Sequence, residues 1–135
     1  MFVFFKNLAK RLVQKEHWYA EFWSSIVFIC YALWAKVDMP EAHREWPPDL
    51  GFTHVLPDTV WQGIMLVTGV GQLISLGVEK PFLRGFFSVL AFWLACWVTL
   101  NIYSFGYGFH PGLALSLGWA GVNVFAFSRS LGGMR

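Results

Sequence analysis

Residues 59–103 read TVWQGIMLVTGVGQLISLGVEKPFLRGFFSVLAFWLACWVTLNIY. Two apolar runs, Thr59–Val78 and Phe82–Tyr103, are separated by Glu79-Lys80-Pro81, with Arg84 just beyond. Each run has about 20 residues, the length an α-helix needs to cross a hydrocarbon layer roughly 30 Å thick. The break admits only a tight turn. The stretch therefore predicts a membrane hairpin, and the rest of the chain is placed relative to it.

Composition agrees. Of 135 residues, 56% are hydrophobic and 13% are charged, against about 25% charged in a soluble domain. The charges cluster between apolar runs, which is the pattern of a multi-span membrane protein. The expected fold is an all-α integral membrane protein with four transmembrane helices, at about 18–37, 59–78, 82–103 and 111–128. An outer loop covers 38–58, and residues 18–135 form one bundle. Residues 1–17 form an amphipathic interfacial helix before it. There Lys6, Lys10, Arg11 and Lys15 oppose Phe2, Phe5, Leu8, Leu12 and Val13, which suits the surface of a bilayer with anionic headgroups. The apolar N-terminal residues precede the basic ones and no small-x-small site follows, so no cleavable signal peptide is expected. Cys30 and Cys96 fall inside apolar runs and read as free thiols.

Lysine and arginine set the orientation. Lys6, Lys10, Arg11, Lys15, Lys80, Arg84, Arg129 and Arg135 fall on one side, and only Lys36 and Arg44 on the other. The positive-inside rule then puts both termini and the hairpin turn in the cytoplasm of a bacterial inner membrane. The basic residues are accounted for by topology, so the net charge of +2 does not imply nucleic acid.

Small residues predict the helix contacts: Gly69, Gly71 and Ser75 in the second span, Ala91 and Ala95 in the third, Gly112, Ser116 and Ala120 in the fourth. Pro111 suits the first turn of that fourth span, and Asp58 reads as the N-cap of the second. Counting depth at 1.5 Å per residue, Gln72, Asn123 and Ser25 are expected to share a buried polar layer, either as interhelical glue or as a solute or proton path. Trp18, Trp34 and Trp61 read as interface anchors and Trp93, Trp97 and Trp119 as packing nearer mid-membrane. Glu21 sits close enough to an interface to be hydrated, with a coupling carboxylate as the second reading.

His43, His54 and His110 lie on the outer side near Glu41, Glu45, Asp49 and Asp58, but their spacing matches no metal motif. No histidine is placed at membrane depth for a haem, and the spans carry no nucleophile–base or phosphate-loop arrangement. No catalytic residue, metal or cofactor is expected, and the protein reads as a non-enzyme.

The segment from Trp46-Pro47-Pro48 through Leu56-Pro57-Asp58 to Gly69-Val70-Gly71-Gln72-Leu73, with Arg84 and the Asn123–Arg129 end, resembles small four-span proteins encoded by tailed phages and prophages. That resemblance covers about the last two-thirds of the chain and brings no established activity. Small four-span multidrug transporters are similar in size, but carry a glutamate deeper in the first span than Glu21. The expected role is assembly in the membrane, with itself or with other membrane proteins: a holin-like lesion, an exclusion factor or a subunit of a larger complex. The alternative is a small dimeric proton- or cation-coupled transporter.

Overall fold

A computed structural model describes residue 6 and residues 18–34, 55–78, 80–104 and 111–132. The described residues form four long helices: α1 Tyr19–Trp34, α2 Asp58–Val78, α3 Pro81–Ile102 and α4 Pro111–Gly132. α2, α3 and α4 have 21, 22 and 22 residues. At 1.5 Å per residue each is about 32 Å long, and all three are long and apolar enough to cross a membrane. α1 has 16 described residues, or about 24 Å. The interfacial helix expected over residues 2–15 and the 38–58 loop lie outside the described residues, apart from Lys6 and the loop's last four residues.

The element boundaries follow local chemistry. Pro81 opens α3, where its missing N–H removes nothing from the helix. Lys80 before it is extended, with φ −86° and ψ 112°, and its carbonyl accepts from Arg84 N at 3.1 Å. The sequence placed the cap of α2 at Asp58. Instead the Pro57 carbonyl accepts from Val60 N at 2.9 Å and Trp61 N at 3.2 Å, so Asp58 is already inside the first turn. α4 continues past the expected end at 128 to Gly132, because nothing in Ser128–Leu131 breaks a helix.

Contacts run around a ring: α1 on α2, α2 on α3, α3 on α4 and α4 back on α1. Directions alternate. Trp18 packs with Leu76 at one end of α1 and α2, and Ala32 joins the cluster of Trp61 and Met65 at the other. Gly85 meets Ser130, and Thr99 meets Ser116. Helices α1 and α3 thus run one way and α2 and α4 the other. The end holding Lys80 and Arg129 is called the basic end below.

Large apolar side chains face outward, and polar ones are buried beside an apolar core. Trp23, Val67, Phe82, Phe86, Leu100, Leu115 and Leu117 are exposed, while Ser24, Thr68, Gln72, Ser88, Asn101 and Asn123 are buried. Lipid tails offer apolar side chains as good an environment as a neighbouring helix does, so close packing and hydrogen bonds must decide the arrangement. Away from the basic end the interior holds an apolar cluster of Phe28, Ala32, Trp61, Met65, Ala91 and Leu94. There Trp61, Trp93 and Trp97 stack at centroid separations of 5.7 to 6.3 Å. Trp61 is buried, not an outward anchor as its position near the helix end suggested.

Two glycines set how closely helices approach. A Cβ at Gly69 would lie 2.8 Å from the Ser25 carbonyl and 2.8 Å from Ile29 Cγ1, so α1 and α2 touch backbone to backbone. Gly71 lies under the Phe87 ring of α3. Gly118 and Gly121 meet nothing within 4 Å. Gly69→Ala is expected to destabilise the bundle by about 1–3 kcal/mol through overpacking. Gly121→Ala, on an open helix face, is expected to raise stability by about 1 kcal/mol or less through helix propensity. Thermal unfolding in detergent distinguishes the two.

Candidate functional site

The site begins one turn inside the basic end. Glu21 is the third residue of α1, and Arg84 the fourth of α3. These helices face each other across the diagonal of the ring. Arg84 Nε donates to Glu21 Oε2 at 2.9 Å and Nη2 to Oε1 at 2.5 Å, a bidentate pair. Both side chains are buried. Above them the Trp18 ring lies 4.5 Å from the guanidinium carbon, a cation–π contact strengthened by its removal from water. The sequence had placed Trp18 at the interface as an anchor and Glu21 in a hydrated rim. Both are instead inside the bundle, because each reaches Arg84.

Three residues further along α1, about 4.5 Å deeper, lies a polar layer. Ser24 Oγ donates to Asn123 Oδ1 at 3.0 Å, and Gln72 Nε2 donates to the same oxygen at 2.9 Å. Asn123 Nδ2 donates to the Trp119 carbonyl at 3.0 Å, and Trp119 Nε1 to Ser24 Oγ at 3.0 Å. The Gln72–Asn123 bond joins α2 to α4, the other diagonal of the ring. The hydroxyl in this layer is that of Ser24. Ser25, which the depth count had offered, donates to the Phe22 carbonyl of its own helix at 2.6 Å. One residue is a rotation of 100° about the helix axis, and depth alone does not distinguish the two.

Toward the far end, Thr99 and Ser116 hydroxyls meet at 2.8 Å between α3 and α4. The small residues read as helix contacts are placed as follows. Gly69 and Gly71 lie against α1 and α3. Ser75, Ala91, Ala95, Ser116 and Ala120 are buried, and Gly112 is half-buried. Ser75 Oγ donates to the Gln72 carbonyl at 2.7 Å. These residues are occupied within a single bundle. Lys6 is exposed, whereas Lys10, Arg11, Lys15, His43, His54 and His110 lie outside the described residues. Among the described residues no group of three metal-ligating side chains is gathered.

What the arrangement can do chemically is limited by its pairing. Both Glu21 oxygens are engaged by one guanidinium. The chain matches no known protein family, no curated protein and no solved structure.

Removing one member of a buried pair strands the other, at about 3–5 kcal/mol. Glu21→Met and Arg84→Leu are each expected to cost that much. The double variant is expected to recover most of it, since apolar replacement of both partners is often neutral. A double-mutant cycle on detergent unfolding reads the difference. Ser24→Ala should lower stability by about 1 kcal/mol and Ser25→Ala by much less, because only Ser24 bonds between helices.

Proposed function

We propose that the protein is a four-span bacterial inner-membrane protein, with both termini cytoplasmic, that acts by assembling with itself in the bilayer. The observation that carries this reading is a doubled pattern on α4. Ser116, Ala120, Asn123, Phe127 and Ser130 recur at intervals of four and three and face the bundle. Ala114, Gly118, Gly121, Phe125, Ser128 and Gly132 recur at the same intervals on the opposite face, and all are exposed. An alternating four–three spacing is the seam of a left-handed helix pair, and small residues let membrane helices approach closely. Only 22% of the apolar window of α4 is buried, against 44% for α2. The inner seam serves the monomer, and the outer one fits a second copy.

Assembly of this kind suits a holin-like lesion, an exclusion factor or a subunit of a larger membrane complex. The resemblance to small phage and prophage proteins favours the same class. The test is expression from a tight promoter in a bacterium with membrane potential followed over time. A lesion former gives an abrupt collapse after a delay. Gly118→Leu with Gly121→Leu should abolish the collapse and the crosslinked dimer while leaving the monomer folded, because neither glycine touches another helix. A steady potential at high expression sinks the lesion form of the proposal, and a monomer on crosslinking sinks assembly itself.

A transporter is the second reading, favoured by the buried polar layer of Ser24, Gln72 and Asn123. The full engagement of Glu21 by Arg84 weighs against a coupling carboxylate. The double variant Glu21→Met, Arg84→Leu separates the two: transport would stop, whereas assembly through α4 would persist.

A further inference from the structure

The hydrogen bonds of the polar layer have a fixed direction, and that direction leaves a requirement unmet. Trp119 N–H can only donate, and the Trp119 carbonyl can only accept. Between them they fix Asn123 with Nδ2 toward the carbonyl and Oδ1 toward Ser24. Gln72 must then donate Nε2 to Oδ1. Its own Oε1 is committed as an acceptor, yet it is buried with no donor. Gln72 as a whole is 1% exposed.

A second polar atom shares this condition. The buried Ser24, Ser25, Thr68, Ser75, Ser116 and Ser130 hydroxyls all bond to a carbonyl or a side chain. Ser88 Oγ, equally buried, has no partner, not even a carbonyl of its own helix. Ser88 lies one turn above Arg84 on α3. Gly71 and Phe87 touch where α2 meets α3. In antiparallel helices the next residue of each turns 100° toward the same side and steps about 1.5 Å in the opposite axial direction, so Gln72 and Ser88 enter the interior on the same side, within about one turn of each other.

We infer that Gln72 Oε1 and Ser88 Oγ bind a water molecule inside the bundle. The site is independent of the α4 assembly face. Water supplies the donor that Gln72 needs and can donate to or accept from Ser88. Unsatisfied polar groups at such depth are costly, and a small buried polar pair is where internal water is held. The water lies beside the amide layer, one turn from Arg84 along α3. Phe28, Met65 and Leu94 form the apolar core farther from the basic end.

The experiment is water-edited solid-state NMR on the full-length protein in lipid bilayers, with water as the probe. Signals of the Gln72 side-chain amide and of Ser88 should build up rapidly from water, and those of Phe28 and Leu94 slowly. Ser88→Ala should abolish the rapid build-up at Gln72 and lower the unfolding temperature. Build-up at Gln72 as slow as at Leu94 overturns the proposal. Rapid build-up that survives Ser88→Ala overturns the shared site. An unfolding temperature unchanged or raised by Ser88→Ala also overturns it, since deleting an unsatisfied hydroxyl is neutral or stabilising.

Discussion

A carboxylate and a guanidinium taken out of water must find each other, and in this chain they do so across the diagonal of a four-helix ring. Apolar packing cannot by itself choose between arrangements of membrane helices, because the lipid competes for every apolar face. The Glu21–Arg84 pair can choose. It fixes the axial position of α1 against α3 and the rotation of both. Gln72 and Asn123 do the same for α2 and α4. With both diagonals tied, each helix touches its two ring neighbours in one register. Pairs of this kind add little net stability compared with apolar replacements. Their effect is on which arrangement forms.

The glycines divide between two tasks. Gly69 and Gly71 remove side chains where helices within the monomer meet, and no larger residue fits there without movement. Gly118 and Gly121 remove side chains where nothing of the same chain approaches. Small residues let membrane helices approach closely, which is why the outward Gly118 and Gly121 are the basis of the proposed self-assembly. The doubled spacing on α4 therefore separates what holds one chain together from what two chains would share.

Much of the fold was legible because hydrocarbon thickness and hydrogen-bond satisfaction act on runs of sequence. The hairpin of α2 and α3, the proline start of α4 and the meeting of Gln72 with Asn123 were all legible in the sequence, whereas Pro81 was read as part of the break and opens α3 instead. Rotation was less legible. Depth counting could not choose Ser24 over Ser25, nor tell that Trp18 and Trp61 turn inward. The ion pair was within reach of the sequence. Glu21 and Arg84 enter the bundle from the same end at nearly the same depth, and their opposite charges in an apolar setting were the signal. Reading Arg84 only as a topological marker hid it. The orphaned Ser88 could not be foreseen, because serine normally returns its hydroxyl to its own helix.

The separation of the ion pair along the chain also has a meaning in time. Glu21 precedes Arg84 by 63 residues, so during synthesis the acid leaves the ribosome well before its partner. α1 alone carries an uncompensated carboxylate, which disfavours settling at depth. The hairpin of α2 and α3, joined by so short a link, then arrives as a unit and brings the guanidinium with it. The Glu21–Arg84 contact can therefore form only once the third helix has been made, which couples charge pairing to closure of the bundle.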